Sequence, residues 1–296
     1  MKITQLPDAE PRPRRVAVGT FDGVHRGHRE VIEGADTVLT FEPHPVSVIS
    51  PGNEPKLLTT LQRKAELVAT LGVRELVVIP FDREFASRSA QEFIDDVLAG
   101  RLGATHVSVG ENFHFGNRAQ GDAGLLRADP RFETRVAPLL EVDGEIVSSS
   151  HIRGLVAGGA LEYAGTLLGT PFALDGTVSH GDERGRTLGY PTANLVPQEG
   201  YATPGHGVYA CRAQTEDGGW HAAAVNVGVR PMFESGLGEL IEAYLLDFDG
   251  NLYAQPLRIE FLKRLRGEKR FVSIDALLEQ MGLDVEATRM VAGPPR

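Results

Sequence analysis

The sequence predicts an α/β domain with a parallel sheet, followed by a small antiparallel β-barrel that ends in a helix. Three observations carry this. In the first half, short β-rich runs at 16–19, 37–41, 76–80 and 106–110 recur between helical patterns. From Phe172 onward strands follow one another through turns, and no helical pattern returns until Ser273. Between the two regimes Gly169, Thr170 and Pro171 break the chain, which places the domain boundary between residues 169 and 170, with domains 1–169 and 170–296.

Composition sets the limits. A chain of 296 residues holds two domains of ordinary size. A hydrophobic content of 42% with 24% charged residues is that of a soluble globular protein. Acidic residues outnumber basic ones, 40 to 30, which argues against a sequence-independent nucleic-acid binder and leaves room for a nucleotide in a locally cationic pocket. The single cysteine, Cys211, forms no internal disulfide and reads as a small core residue on a strand, in keeping with a reducing compartment. The opening MKITQLPDAEPRPRR lacks the apolar stretch of a signal peptide, and no run reaches membrane-spanning length. A cytoplasmic protein with no nucleic-acid or membrane partner is expected; oligomeric state is not legible.

In the first domain Leu61, Ala65, Val68 and Leu71 fall on one helical face that ends at Gly72. Ser89 and Glu92 form a capping box ahead of Phe93, Ile94, Val97 and Leu98. Strands alternating with helices imply a parallel sheet covered on both faces, whose ligands sit at the carboxyl ends of the strands. That rule selects GTFDGVHRGH, residues 19–28. Gly19 ends the first strand, Asp22 and Gly23 turn the chain, and His25 and His28 share one face of a helix's first turn. Two imidazoles at a helix start make a phosphate-binding corner. A pair of surface histidines is the alternative; a metal pair is disfavoured because no cysteine or acidic partner adjoins at ligand spacing. Asp22 reads as a turn former.

Helical material around Leu155, Val156, Leu161, Ala164, Leu167 and Leu168 closes this domain. Beyond it, GVYACRA and HAAAVNVG flank a turn at 216–219, and IEAYLLDF and LYAQPLRIEFL flank Asp249, Gly250 and Asn251, so both pairs read as antiparallel hairpins of a closed barrel. Ser273 caps a final helix expected to lay Ile274, Leu277, Leu278 and Met281 on the barrel. The tail AGPPR reads as disordered.

The stretch 176–195, GTVSHGDERGRTLGYPTANL, is the densest in chemistry. Gly181, Gly185 and Gly189 let backbone approach a ligand and leave amides free to cradle phosphate, with Arg186 among them. Thr192 and Asn194, two apart, share one side of an extended segment and offer the hard oxygen donors that Mg²⁺ prefers. The pattern reads as a nucleotide-phosphate and metal site, or alternatively as a glycine-rich hairpin closed by a proline turn.

Four motifs in order, GTFDGVHRGH, TFEPHP at 40–45, GENFHFG at 110–116 and SSSHIR at 148–153, resemble the FMN adenylyltransferase module of the bacterial bifunctional riboflavin kinase/FAD synthetase. The resemblance implies a Rossmann-like nucleotidyltransferase domain that moves AMP from ATP to FMN, giving FAD. It implies that Gly19, His25, His28 and Asn112 bind ATP and that Ser149, Ser150 and Arg153 close over the triphosphate. FMN phosphate is already an anionic nucleophile, so such a site needs alignment and charge neutralisation more than a base. Two departures stand out. The spacer 29–36 leaves room only for a clipped helix or a loop, and Ser150 and His151 stand where the family more often has threonine and arginine.

GRTLGYPTAN, NVGVRPMF, IEAYLLDFDGNLY and RLRGEKRF resemble the riboflavin kinase module of the same proteins. That implies phosphorylation of the ribityl 5′-hydroxyl of riboflavin by ATP with Mg²⁺. A neutral alcohol requires a base, and Glu242 occupies the position of the family's catalytic glutamate, with Glu239 as the fallback. Arg264, Arg266 and Lys269 are candidate phosphate or flavin contacts. The expected function is therefore bifunctional FAD biosynthesis. Two other readings are a kinase with a degenerate adenylyltransferase domain and a non-catalytic flavin-binding regulator; a base at Glu242 speaks against the latter.

Overall fold

The structure is a computed structural model that describes residues 1–179, 189–229 and 239–293. The chain divides into two units, Met1–Ser149 and Ser150–Arg296.

In the first unit the apolar runs become strands of one sheet. These are β1 (Lys2–Gln5), β2 (Arg14–Val18), β3 (Thr37–Glu42), β4 (Glu75–Pro80), β5 (Ala104–Gly110) and β6 (Glu133–Ala137). Their order is β1-β4-β3-β2-β5-β6, and every pairing is parallel. Side chains alternate between two cores, as strands buried on both faces require. Val16, Val18, Leu39 and Val77 face Phe93, Ile94, Val97 and Leu98, while Ala17, Val38 and Leu76 face Ile32, Ala65 and Val68. Helices α1 (Arg26–Ile32) and α3 (Leu61–Ala69), with α2 (Pro45–Ile49) between them in sequence, supply the loops and caps discussed below. The Ser89/Glu92 capping box is formed in both directions, and the helix it starts widens to π geometry over Phe93–Arg101. A two-residue hairpin joins β7 (Glu141–Val142) to β8 (Glu145–Ile146), with Asp143 and Gly144 both at positive φ.

At the amino ends of the strands a buried polar cluster ties the sheet together. Glu75 accepts from Thr4 Oγ1 at 2.8 Å, Arg12 Nη2 at 2.8 Å and Arg14 Nε at 3.1 Å. Burial pushes the Glu75 carboxyl up, but these bonds outweigh it and hold it below its ordinary value.

The second unit is a closed barrel of β9 (Phe172–Ser179), β10 (Ala193–Pro197), β11 (Gly207–Gln214), β12 (Trp220–Val229), β13 (Glu239–Leu245) and β14 (Pro256–Arg266), ordered β10-β13-β12-β11-β14-β9. β11, β12 and β13 run as a meander and β14 returns beside β11, which is Greek-key topology. The expected hairpin of β11 and β12 forms. The second expected hairpin does not. β13 pairs with β10 and β12, and β14 with β11 and β9, so Asp249, Gly250 and Asn251 lie in a crossover across the barrel end. Cys211 is fully buried and its thiol is pushed well above its ordinary value by that burial, as for an inert core residue.

Helices Ser149–Gly158 and Leu161–Leu168, read from the sequence as the close of the first domain, contribute residues 150–168 to this unit, and Leu161–Leu168 packs on β14 and β9. Close approach is set at Gly159, at φ 77°, where a Cβ would stand 2.7 Å from the Tyr209 hydroxyl. Ser273 caps the C-terminal helix Ile274–Ala292 by accepting from Ala276 N at 3.2 Å. The helix packs on β11, β12 and β14; of the apolar stripe expected, Leu277, Leu278 and Met281 are half-buried and Ile274 is exposed, while the most buried positions are Asp284 and Thr288. Asp284 receives Arg266 through Nε at 3.1 Å and Nη2 at 2.8 Å, and Gln280 Nε2 at 3.1 Å, so a polar clasp seats the helix. Of the AGPPR tail, residues 294–296 lie outside the described residues.

Candidate active sites

The first site follows from strand order. From β2 the chain moves outward through β3 to β4, then returns to the other side of β2 at β5, so the crevice of the sheet opens at the carboxyl ends of β2 and β5. The residues found there are 19–28 after β2 and Gly110 to Asn112 after β5. Gly19 is held by its N–H to Leu39 O at 3.1 Å, and a Cβ there would meet the Phe21 ring at 3.0 Å. Asp22 accepts from Leu58 N at 2.8 Å and Thr59 N at 3.3 Å, which pins the turn and agrees with its reading as a turn former. The clipped segment 29–36 keeps a helix: α1 has seven residues, then turns at Gly34.

His25 is buried and caps α1 through Nδ1, which accepts from His28 N at 3.2 Å. A neutral imidazole that accepts at Nδ1 carries its proton on Nε2, so His25 is a fixed donor. The two rings stack with centroids 3.5 Å apart and 17° between planes, and Phe21 meets His28 edge-on at 5.4 Å. Burial, then electrostatic repulsion from the neighbouring His25 and Lys64, which opposes a second positive charge on His28, hold its imidazole well below its ordinary 6.5. Its Nδ1 is buried without a hydrogen-bond partner among the described residues. Such an orphan nitrogen beside a fixed donor suits an arriving phosphate oxygen. Asn112 is exposed just past β5, with its Oδ1 3.3 Å from where a Gly110 Cβ would stand. Ser149 Oγ donates to Asp22 O at 2.9 Å, on the same loop. Ser150 and Arg153 belong to the second unit, where Arg153 Nη1 donates to Ser150 Oγ at 3.3 Å and His151 meets Tyr163 edge-on at 6.2 Å.

One residue of this site escaped the sequence reading. Lys64 of α3 is buried, and its ammonium donates to Thr20 O at 2.7 Å and Thr40 Oγ1 at 3.3 Å. Its signal was legible: with Leu61, Ala65 and Val68 marking the inward face, position 64 falls on that face too.

The second site is a polar row across the barrel. Asn194 of β10 is in register with Ser179 of β9 and Glu242 of β13, and Glu242 with Asn226 of β12. Directly paired residues share a face. Since Ile241, Ala243, Val225 and Val227 are buried on the barrel's inside, this row lies on its outer face, where Asn194 is buried and Glu242 and Asn226 half-buried. Ser179 Oγ donates to Asn194 O at 3.5 Å. Thr192 is half-buried immediately before β10, and Gly189 stands at φ 84°, a conformation that favours glycine. Tyr190 meets Tyr244, on the Glu242 face of β13, edge-on at 5.3 Å. Asn226 was missed by sequence reading; a carboxamide at an outward position of an otherwise apolar strand was its signal. Gly181, Gly185 and Arg186 lie outside the described residues, as does the side chain of Glu239.

Of the three basic candidates, Arg266 is committed to Asp284, and Arg264 donates to His206 O at 2.7 Å and Gly158 O at 3.5 Å, so both serve the barrel's architecture. Lys269 Nζ and Arg266 Cζ lie 5.6 and 5.7 Å from the Phe271 ring centroid. Among the described residues no group of three His, Cys, Asp or Glu side chains is placed to hold a metal ion. The donors at Thr192 and Asn194 are neutral oxygens, which fit a hard divalent cation that keeps phosphate and water as its other ligands. Among the described residues no helix is long and apolar enough to cross a membrane.

The family described as FAD synthetase matches residues 8–151, and that described as riboflavin kinase matches residues 168–292. A bifunctional riboflavin kinase/FMN adenylyltransferase of Listeria monocytogenes is 37% identical over 93% of this chain and 91% of its own. Its namesake in Bacillus subtilis is 38% identical over 91% of this chain and 89% of its own. A crystal structure titled as a macrolide-efflux protein from Streptococcus pneumoniae superposes with a TM-score of 0.87 at 30% identity, covering 98% of this chain and 99% of that one. Two catalytic modules matched in tandem, by relatives that share both over nearly the full length, leave one placement: the chain belongs to the bifunctional riboflavin kinase/FMN adenylyltransferase family.

Proposed function

We propose that the barrel phosphorylates riboflavin to FMN with ATP, and that the α/β unit transfers AMP from ATP to FMN, giving FAD and pyrophosphate. The observation that carries this reading is Glu242 in register beside Asn194, a carboxylate next to a hard-oxygen ligand on one barrel face. In the kinase step Glu242 accepts the proton of the ribityl 5′-hydroxyl as that oxygen attacks the γ-phosphorus and the bond from that phosphorus to the β,γ-bridging oxygen breaks, releasing ADP. Asn226, on the other side of Glu242, orients the carboxylate. Gly181, Gly185, Arg186 and Gly189 contact the ATP phosphates. Thr192 and Asn194 hold the divalent metal, which we assign as Mg²⁺ from their neutral oxygen chemistry. When bound, it neutralises charge on the transferring phosphates.

In the adenylylation step an FMN phosphate oxygen attacks the α-phosphorus, and the bond from that phosphorus to the bridging oxygen of pyrophosphate breaks. His25 donates from Nε2 and His28 from its Nδ1, otherwise unpartnered among the described residues, as negative charge shifts onto the leaving phosphates. Gly19 gives the backbone close approach, and Asn112 supplies a carboxamide. Ser149, Ser150 and Arg153 are assigned to the triphosphate. On this reading the catalytic modules span 1–169 and 170–296, residues 150–168 carrying adenylyltransferase motif side chains while packing with the barrel. The substrates are ATP, riboflavin and FMN, with no nucleic-acid or membrane partner; we assign the work to the cytoplasm, a setting with which an unpaired Cys211 is compatible.

The test is a time course of the purified protein with riboflavin, ATP and Mg²⁺, separating flavins by chromatography. FMN that rises and then gives way to FAD supports both assignments. FMN without FAD, with no FAD from added FMN either, removes the adenylyltransferase assignment, and unchanged riboflavin removes the kinase assignment.

A further inference from the structure

We propose that Lys64 is the positioning residue of the adenylyltransferase phosphate loop, holding the Thr20 carbonyl out of the pocket so that the loop presents donors to ATP. The inference rests on the adenylyltransferase reading of the first unit. Anion-binding loops work only if their N–H groups face the ligand and their carbonyls do not, because a carbonyl oxygen aimed at a phosphate repels it. Thr20 is the second residue of the 19–28 loop, and its oxygen has two lone pairs. Both are taken: Lys64 Nζ donates at 2.7 Å and Thr40 Oγ1 at 3.1 Å, while Lys64 Nζ also reaches Thr40 Oγ1 at 3.3 Å. Three elements, α3, β3 and the loop, therefore meet at one oxygen.

Lys64 is placed there at a cost. It is 6% exposed, and burial lowers its pKa despite the opposing charges of Asp22 and Glu42. His28, on α1, is the other titratable group that faces it electrostatically. Asp22 already accepts from Leu58 and Thr59, so its charge is shared among three claims. A lysine kept only for stability would not occupy a position where its ammonium is disfavoured, since an apolar side chain of similar volume is tolerated at least as well at such sites. The charge that remains lies beneath a loop built to receive a triphosphate.

The experiment compares Lys64→Met, which keeps the aliphatic stem, Lys64→Arg, which keeps the charge, and Thr40→Val, which removes the second donor. FAD formation from FMN and FMN formation from riboflavin are measured on each preparation, with thermal unfolding alongside. Lys64→Met is expected to raise KM for ATP in FAD formation by about tenfold or more. Its FMN formation stays at the unmodified level and its unfolding temperature does not fall. Lys64→Arg recovers most of the ATP affinity, and Thr40→Val shifts KM in the same direction by a smaller factor. An unchanged KM in Lys64→Met overturns the proposal. So does a lowered unfolding temperature with KM unmoved in Thr40→Val, which would make the cluster structural. Failure of the unmodified protein to make FAD from FMN overturns the adenylyltransferase reading itself, and is distinct from either result.

Discussion

Replacing Glu242 by glutamine tests the kinase assignment with little disturbance to the barrel. Glutamine keeps the volume and the outward direction on β13 and removes the negative charge together with the ability to take a proton. Its neighbours in register, Asn194 and Asn226, are both carboxamides, so the new side chain meets partners that accept as well as donate. The position is half-buried on the barrel's outer face, and the exchange should change stability by less than about 1 kcal/mol. Catalysis should change far more. A positioned base contributes about 10²- to 10⁴-fold, or about 3–5 kcal/mol on the barrier, because the ribityl hydroxyl does not ionise at neutral pH. The assay is FMN appearance from riboflavin under saturating ATP, with FAD appearance from added FMN in a parallel reaction on the same preparation as the control. Glu242→Gln should lower kcat of the first and leave the second intact. A kcat within about threefold of the unmodified value would refute the role of Glu242 as base.

Other consequences follow from the same geometry. Asn194→Ala should raise the Mg²⁺ concentration needed for half-maximal FMN formation by about tenfold, read from metal titrations. His28 should titrate below 6.5 in an NMR pH series of the free protein; because the unfolded chain then binds the proton first as pH falls, stability present above 6.5 is lost as pH drops through the lowered value. Denaturant melts of the first unit across that range check the sign. Asp284→Ala leaves Arg266, 21% exposed, without the carboxylate that holds it, and should cost the barrel unit about 2–3 kcal/mol in denaturant unfolding.

Central strands were legible because a strand covered on both faces reads as a continuous apolar run, as in β3 and β4. The edge strands β1 and β6 were not, since half their residues face solvent and KITQ or ETRVA carries no such run. The pairing error in the barrel has a different origin. Asp249, Gly250 and Asn251 report that the chain reverses, but not beside which strand it lands, and the partners of β14 are fixed by barrel closure rather than by local turn chemistry. Of the candidate-site residues, His25, His28 and Glu242 were picked out by motifs. Lys64 was not, because a helix pattern is scanned for its apolar residues, and a charged one on the same face is passed over as if it pointed outward.

The position of β14 also governs what an incomplete chain is worth. All six strands of the first sheet have been made by Ala137, so that unit has its backbone partners long before synthesis ends. The barrel does not, because its last strand fits between β9 and β11. A product stopped before Pro256 carries an open sheet whose two border strands, one made first and one made in the middle, both offer bare backbone to any passing chain. Losing the last stretch of this protein therefore does not leave a one-activity enzyme with a harmless stump; it leaves a sheet seeking partners on the end of a domain that has already folded.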